Sequence, residues 1–153
     1  MRIYIRAHRV GDGFIGRIIG RFTWGRYKHI SMAFVEENGN IRGFQSNSKS
    51  GVHFFNLDTV AGDGVDIFRV ECNDEQAYQI LNSAKSVDGS GYDHAGLWSF
   101  FVRKKRENPD KWFCSEVAAW VCYSGGVPLQ RLPAWKQSPM IVAASVAIDP
   151  VAS

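Results

Sequence analysis

Apolar and polar residues alternate at the start of the chain, with Ile3, Ile5 and Ala7 on one side and Arg2, Tyr4, Arg6 and His8 on the other. This period of two predicts a half-buried strand, which Gly11-Asp12-Gly13 ends. Phe14, Ile15, Ile18, Ile19 and Phe22 then recur at helical spacing and predict a short amphipathic helix, weakened by Gly16 and Gly20. Tyr27 to Glu36 and Asn40 to Ser46 read as strands joined by the hairpin turn Glu37-Asn38-Gly39. Two registers are open there. A three-residue loop with Gly39 left-handed pairs Glu36 with Asn40 and Ser31 with Gln45, whereas a two-residue Asn38-Gly39 turn slips the pairing by one and faces Gln45 away from His29.

Val52 to Leu57 and Val65 to Glu71 predict two more strands, separated by the turn Gly62-Asp63-Gly64. Asp74 to Val87 turns helical through Ala77, Ile80, Leu81 and Ala84, with Asn73 or Asp74 as cap. After Tyr92 an apolar segment, Ala95 to Val102, leads to the basic run Arg103-Lys104-Lys105-Arg106. Trp112 to Val121 follows as an apolar helix, announced by Pro109-Asp110 and closed by Gly125-Gly126 and Pro128. The tail from Ser138 to Ile148 fits a helix or a strand equally. Strands gathered early and helices late indicate an α+β fold with an antiparallel meander rather than an alternating parallel one.

The helix that starts near Cys114 carries the first candidate chemistry. Unpaired N–H groups and the positive end of the helix dipole favour a thiolate there, and a nearby imidazolium would favour it further. The competing reading is that Cys114 is a buried small apolar residue, as free cysteines commonly are. A cysteine nucleophile needs a base, and the chain offers His8, His29, His53 and His94. His29 lies on a strand face of small residues, His29, Ser31 and Ala33, while Ile30, Met32 and Phe34 make the other face bulky. Small neighbours such as Ser31 leave room for a substrate to approach. His53, before Phe54-Phe55, reads as a packed or rim histidine, and His8 as a surface one.

Composition narrows the class. With 153 residues, 45% apolar and 22% charged, the chain suits one globular domain, 1–153. A net charge of +3 is mild, and the single basic run reads as a solvated loop, so no nucleic-acid partner is expected. No window approaches the roughly 18 apolar residues of a membrane span, and Met1 to Val10 is strand-like rather than a secretory signal, which points to a cytoplasmic setting. Three cysteines, Cys72, Cys114 and Cys122, cannot all pair and show no zinc-site spacing, so neither a disulfide framework nor a metal is expected.

Tyr27-Lys28-His29-Ile30 and Trp112-Phe113-Cys114-Ser115-Glu116-Val117, with the loop from Ser46 to Val52 between them, resemble the permuted NlpC-type cysteine hydrolases, the YiiX-like group. The resemblance spans most of residues 1–128. It implies a circularly permuted papain-like fold, an antiparallel sheet or small barrel packed against helices. It implies Cys114 as nucleophile, His29 as base and Gln45 as the polar group that orients the imidazole. Many relatives carry a glutamate or another polar residue at that third place, and a neutral amide stabilises an imidazolium less than a carboxylate does. Glu36 is a rival only by charge, since it lies seven residues along the strand, about 23 Å from His29 at the usual rise. Tyr92 matches the position of an oxyanion-supporting tyrosine in unpermuted relatives. His94 lies close to it in sequence and is a candidate lining residue of the cleft. Trp24 and Trp112 flank the pair in sequence and are candidate walls of a substrate pocket.

The implied activity is hydrolysis of amide or ester bonds through an acyl-enzyme, without a cofactor. Its substrate class is a peptide, a peptidoglycan fragment or an acyl-lipid, and small phage-borne versions would be released on lysis or carried by a particle. Two other readings belong to different classes. One is a non-catalytic binding or assembly module, which Gln45 favours by replacing a carboxylate. The other is an acyltransferase like the lecithin:retinol acyltransferase relatives, which favour a second histidine where this chain has Gln45.

Overall fold

A computed structural model describes residues 1–10, 26–92, 111–130, 137–145 and 148–151. The helix expected from Phe14, the apolar segment from Ala95, the basic run from Arg103, and the site candidates Trp24 and His94 lie outside the described residues. The strands are β1 Arg2–Arg9, β2 Tyr27–Val35, β3 Ile41–Asn47, β4 Gly51–Asn56, β5 Val65–Val70, β6 Gly91–Tyr92, β7 Lys111–Trp112 and β8 Ile148–Pro150. The helices are α1 Asp74–Ser86, α2 Cys114–Ser124 and α3 Pro139–Ala143. The ambiguous tail therefore contains both a helix and a strand. Ser138 caps α3 by accepting from the Ile141 N–H, and Pro139 enters the first turn, where its missing N–H costs no helical bond.

Six strands form one antiparallel sheet in the order β4-β3-β2-β1-β5-β8. The meander holds for β1 to β4, and β5 then returns to the far side of β1. Its two edges, β4 and β8, remain apart, so the sheet is open and the small-barrel alternative does not apply. β6 and β7 form a separate parallel pair, Tyr92 beside Trp112.

Alternation sorts the sheet into two faces. Ile3, Ile5, Ala7, Ile30, Met32, Phe34 and Phe44 are buried in the core with α1 and α2. Each large apolar side chain removed from water there contributes roughly 1.5–3 kcal/mol. On α1, Ala77, Ile80, Leu81 and Ala84 form the buried stripe, and Asn73 with Gln76 closes a reciprocal capping box. The opposite face carries Arg6, His8, His29, Ser31, Gln45 and His53, a polar row across four strands. The β4–β5 connection meets that face where Arg6, 7% exposed, donates from Nε to the Val60 carbonyl. No helix among the described residues is long and apolar enough to cross a membrane.

The hairpin decides between the two registers. Gly39 has φ +87°, the Glu36 N–H bonds the Asn40 carbonyl at 2.9 Å, and Met32 pairs with Phe44. This is the three-residue loop, and continuing its register brings Ser31 level with Gln45. Glu36 stays at the hairpin, ion-paired to Arg42.

Candidate active site

The β2–β3 ladder runs from Val35↔Ile41 to Met32↔Phe44 and no further. β3 continues instead with β4, pairing Gln45 with His53, Ser46 with Val52 and Asn47 with Gly51. The start of α2 meets both parting strands. Ser46 on β3, fully buried, donates from Oγ to the Trp112 carbonyl at 2.6 Å, and the Ile30 backbone N–H on β2 faces the Cys114 sulfur.

Phe113, the N-cap of α2, has no side-chain oxygen, so no side-chain cap covers the first-turn amides. Glu116 supplies half of a capping box by accepting from the Phe113 N–H at 3.2 Å. Ser115 is anchored by donating to the Gln137 carbonyl. Cys114 is 2% exposed. Burial pushes its thiol up to about 11, against the opposing pull of the N–H groups of Ile30, Ser115 and Cys114 itself. The resting sulfur is therefore a thiol. The helix terminus favours a thiolate, as the sequence indicates, but desolvation outweighs it.

His29 is half-buried on β2. Burial lowers its pKa first, while the hydrogen bond to Gln45 raises it and the charges of Lys28 and Arg6 lower it further. Gln45 Oε1 lies 2.9 Å from His29 Nε2, and Gln45 Nε2 lies 3.3 Å from His53 Nε2. His8, expected at the surface, is half-buried instead, with its ring centroid 5.1 Å from that of His29 and its Nε2 2.9 Å from Ser31 Oγ. Burial, followed by the neighbouring charge of His29, lowers its pKa to about 4.

The structure thus brings His29 and Gln45 together and sets Cys114 at the backbone of Ile30. No Cys114–His29 hydrogen bond is formed among the described residues, and in resting enzymes such contacts often tighten only when substrate binds. Ser31, expected beside a substrate, is 1% exposed and hydrogen-bonded to His8. Trp112 packs its ring on Trp120 of α2 at 5.1 Å. Tyr92 faces Phe113 at 6.1 Å, one residue before the cysteine.

Sequence reasoning set His53 and His8 aside, as a packed or rim histidine and a surface one, and did not single out Ser46. The usable signal for His53 is alternation in β4: Val52 and Phe54 pack into or against the core, so His53 and Phe55 fall on the Gln45 face.

The chain is similar in fold to the metalloprotein yiiX from Escherichia coli O157:H7, DUF1105, with a TM-score of 0.69 and 20% identity over 99% of this chain and 96% of that one. No protein-family profile matches the chain, and no curated protein matches it. At that identity the likeness is one of fold.

Proposed function

We propose that residues 1–153 form a permuted papain-like cysteine hydrolase domain of the NlpC type, acting on amide or ester bonds through an acyl-enzyme at Cys114. The observation that carries this reading is the His29–Gln45 hydrogen bond. With the Gln45 oxygen turned to it, the imidazole carries its proton on Nε2, and the Nδ1 lone pair is the proposed base, on the residue next to the Ile30 amide that faces the sulfur.

In this mechanism Nδ1 takes the thiol proton as the sulfur attacks the substrate carbonyl, so a neutral pair reacts without a preformed ion pair. The amides of Cys114 and Ser115, uncapped by a side chain, are the candidate donors to the oxyanion. The imidazolium returns the proton to the leaving group, and water activated by the same nitrogen then cleaves the thioester. Gln45 holds the ring but supplies no charge to the imidazolium, which limits the rate relative to a carboxylate.

The structural neighbour is described as a metalloprotein. Among the described residues no group of three His, Cys, Asp or Glu is gathered, and His8 and His29 engage Ser31 and Gln45 through Nε2. The burial of Cys114 favours a second reading, a binding or assembly module on the same fold.

The test is incubation with activated peptide amides, peptidoglycan stem peptides and phospholipids, followed by mass spectrometry of the intact chain and its Cys114 peptide. A hydrolase gives a transient acyl adduct on Cys114 that is lost in C114A and depleted in H29A. Transfer of the acyl group to a second lipid would identify an acyltransferase. An unmodified Cys114 with every substrate would leave the binding module.

A further inference from the structure

The hydrogen-bond chain on the polar face does not end at Gln45. His53 Nδ1 lies 3.0 Å from the Gly51 carbonyl, and that oxygen can only accept. Nδ1 of His53 therefore carries a proton, and in the neutral ring Nε2 is then bare and can only accept. The Gln45 group opposite it, at 3.3 Å, must be the donating amide nitrogen. The Gln45 oxygen is then turned to His29, and His29 must present an N–H from Nε2 at 2.9 Å. Each assignment forces the next, from a backbone carbonyl on β4 to the imidazole on β2. A glutamine alone would fix nothing, because its two ends are nearly the same size and it can face a histidine either way.

We propose that His53 is a positioning residue: through Gln45 it determines which nitrogen of His29 is protonated, leaving Nδ1 as the basic atom. This rests on the hydrolase reading for its catalytic meaning, while the proton placement itself stands independently. Gly51 is the anchor of the chain. Its φ is +67°, and a Cβ there would meet the Ser90 carbonyl at 2.3 Å, so the backbone that presents the anchoring oxygen is restricted to glycine. Among the described residues His53 has one further ring neighbour, Phe55 at 6.0 Å, which adds no donor or acceptor.

The test uses full-length 15N-labelled protein and long-range 1H–15N correlation spectra, which distinguish the two neutral imidazole tautomers. The wild type should show His29 protonated at Nε2. His53→Phe removes the acceptor, frees the Gln45 amide to turn, and should reduce the His29 tautomer preference by about tenfold, the worth of one net hydrogen bond. His53→Asn, which can accept through its side-chain oxygen, should restore much of it. Backbone amide spectra establish that each variant is folded, and His53→Asn carries the test if the phenylalanine variant is not. A His29 proton on Nδ1 in the wild type, or a preference unchanged in both variants, would overturn the proposal. Absence of an acyl-enzyme at Cys114 would remove the hydrolase reading and leave these spectra unaffected, so the two failures are distinct.

Discussion

Ser46 Oγ bonds the Trp112 carbonyl at 2.6 Å, joining the strand that carries Gln45 to the residue two before Cys114. The serine is fully buried, and the bond spans 66 positions of chain. Replacing it with alanine strands a carbonyl in a dry site, a cost of about 1–3 kcal/mol. Ser46→Ala should lower the urea midpoint accordingly. It should also raise the alkylation rate of Cys114, because the turn that buries the sulfur loses its tie to β3. A midpoint within error of wild type would mean that this bond holds nothing in place.

The charge missing at position 45 can be supplied. Burial, Lys28 and Arg6 hold the His29 pKa below its ordinary value, and the Gln45 bond is the one influence that raises it. Gln45→Glu adds a carboxylate at hydrogen-bond distance and should raise the His29 pKa by about 1–3 units. Gln45→Leu should lower it further. Titration of the imidazole signals by NMR reads both variants, and an unmoved pKa in both would dissociate the two side chains.

Reactivity of Cys114 should follow its burial. With the thiol pushed up to about 11, the thiolate fraction at pH 7 is on the order of 10⁻⁴, and iodoacetamide labelling should keep climbing well above pH 9. Peptide-resolved mass spectrometry separates Cys114 from the more accessible Cys72. Rapid labelling below pH 7 that His29→Ala abolishes would instead reveal a preformed ion pair and contradict this reading.

His8 makes stability depend on acid. Its folded pKa, about 4, lies below the unfolded value of about 6.5, so the unfolded chain binds the extra proton first. The stability it contributes is complete above about pH 6.5 and is lost as pH falls toward 4. The loss amounts to roughly 2 kcal/mol once partial exposure is allowed for. His8→Gln keeps a polar partner for Ser31 but has no proton to gain. Urea midpoints measured across pH 4–7 should therefore slope less steeply in the variant, and parallel slopes would exclude His8 as the source.

Local pattern carried much of this architecture. The alternation of β1, the apolar stripe and cap of α1, and the helix start at Cys114 all follow from residue order, because each depends on neighbours within a turn or a strand. The hairpin was half legible: Glu37-Asn38-Gly39 announces a turn, but only the bond from the Glu36 N–H to the Asn40 carbonyl selects the loop that puts Gln45 on the His29 face. The places of His8 and His53 were not legible for a related reason. Nothing near either residue in sequence reveals that β1 and β4 bring them to the polar row beside His29 and Gln45.

By itself, the sequence determined which residues can do chemistry and what local backbone they occupy: a cysteine in a first helical turn, a histidine on a strand, a glutamine on the next. Tertiary structure decided their states. The Cys114 thiol is protonated because folding removes water from it, and no local signal measures that desolvation. The tautomer of His29 depends on a carbonyl two strands away, at Gly51, since hydrogen-bond polarity passes from group to group only after the strands are in register.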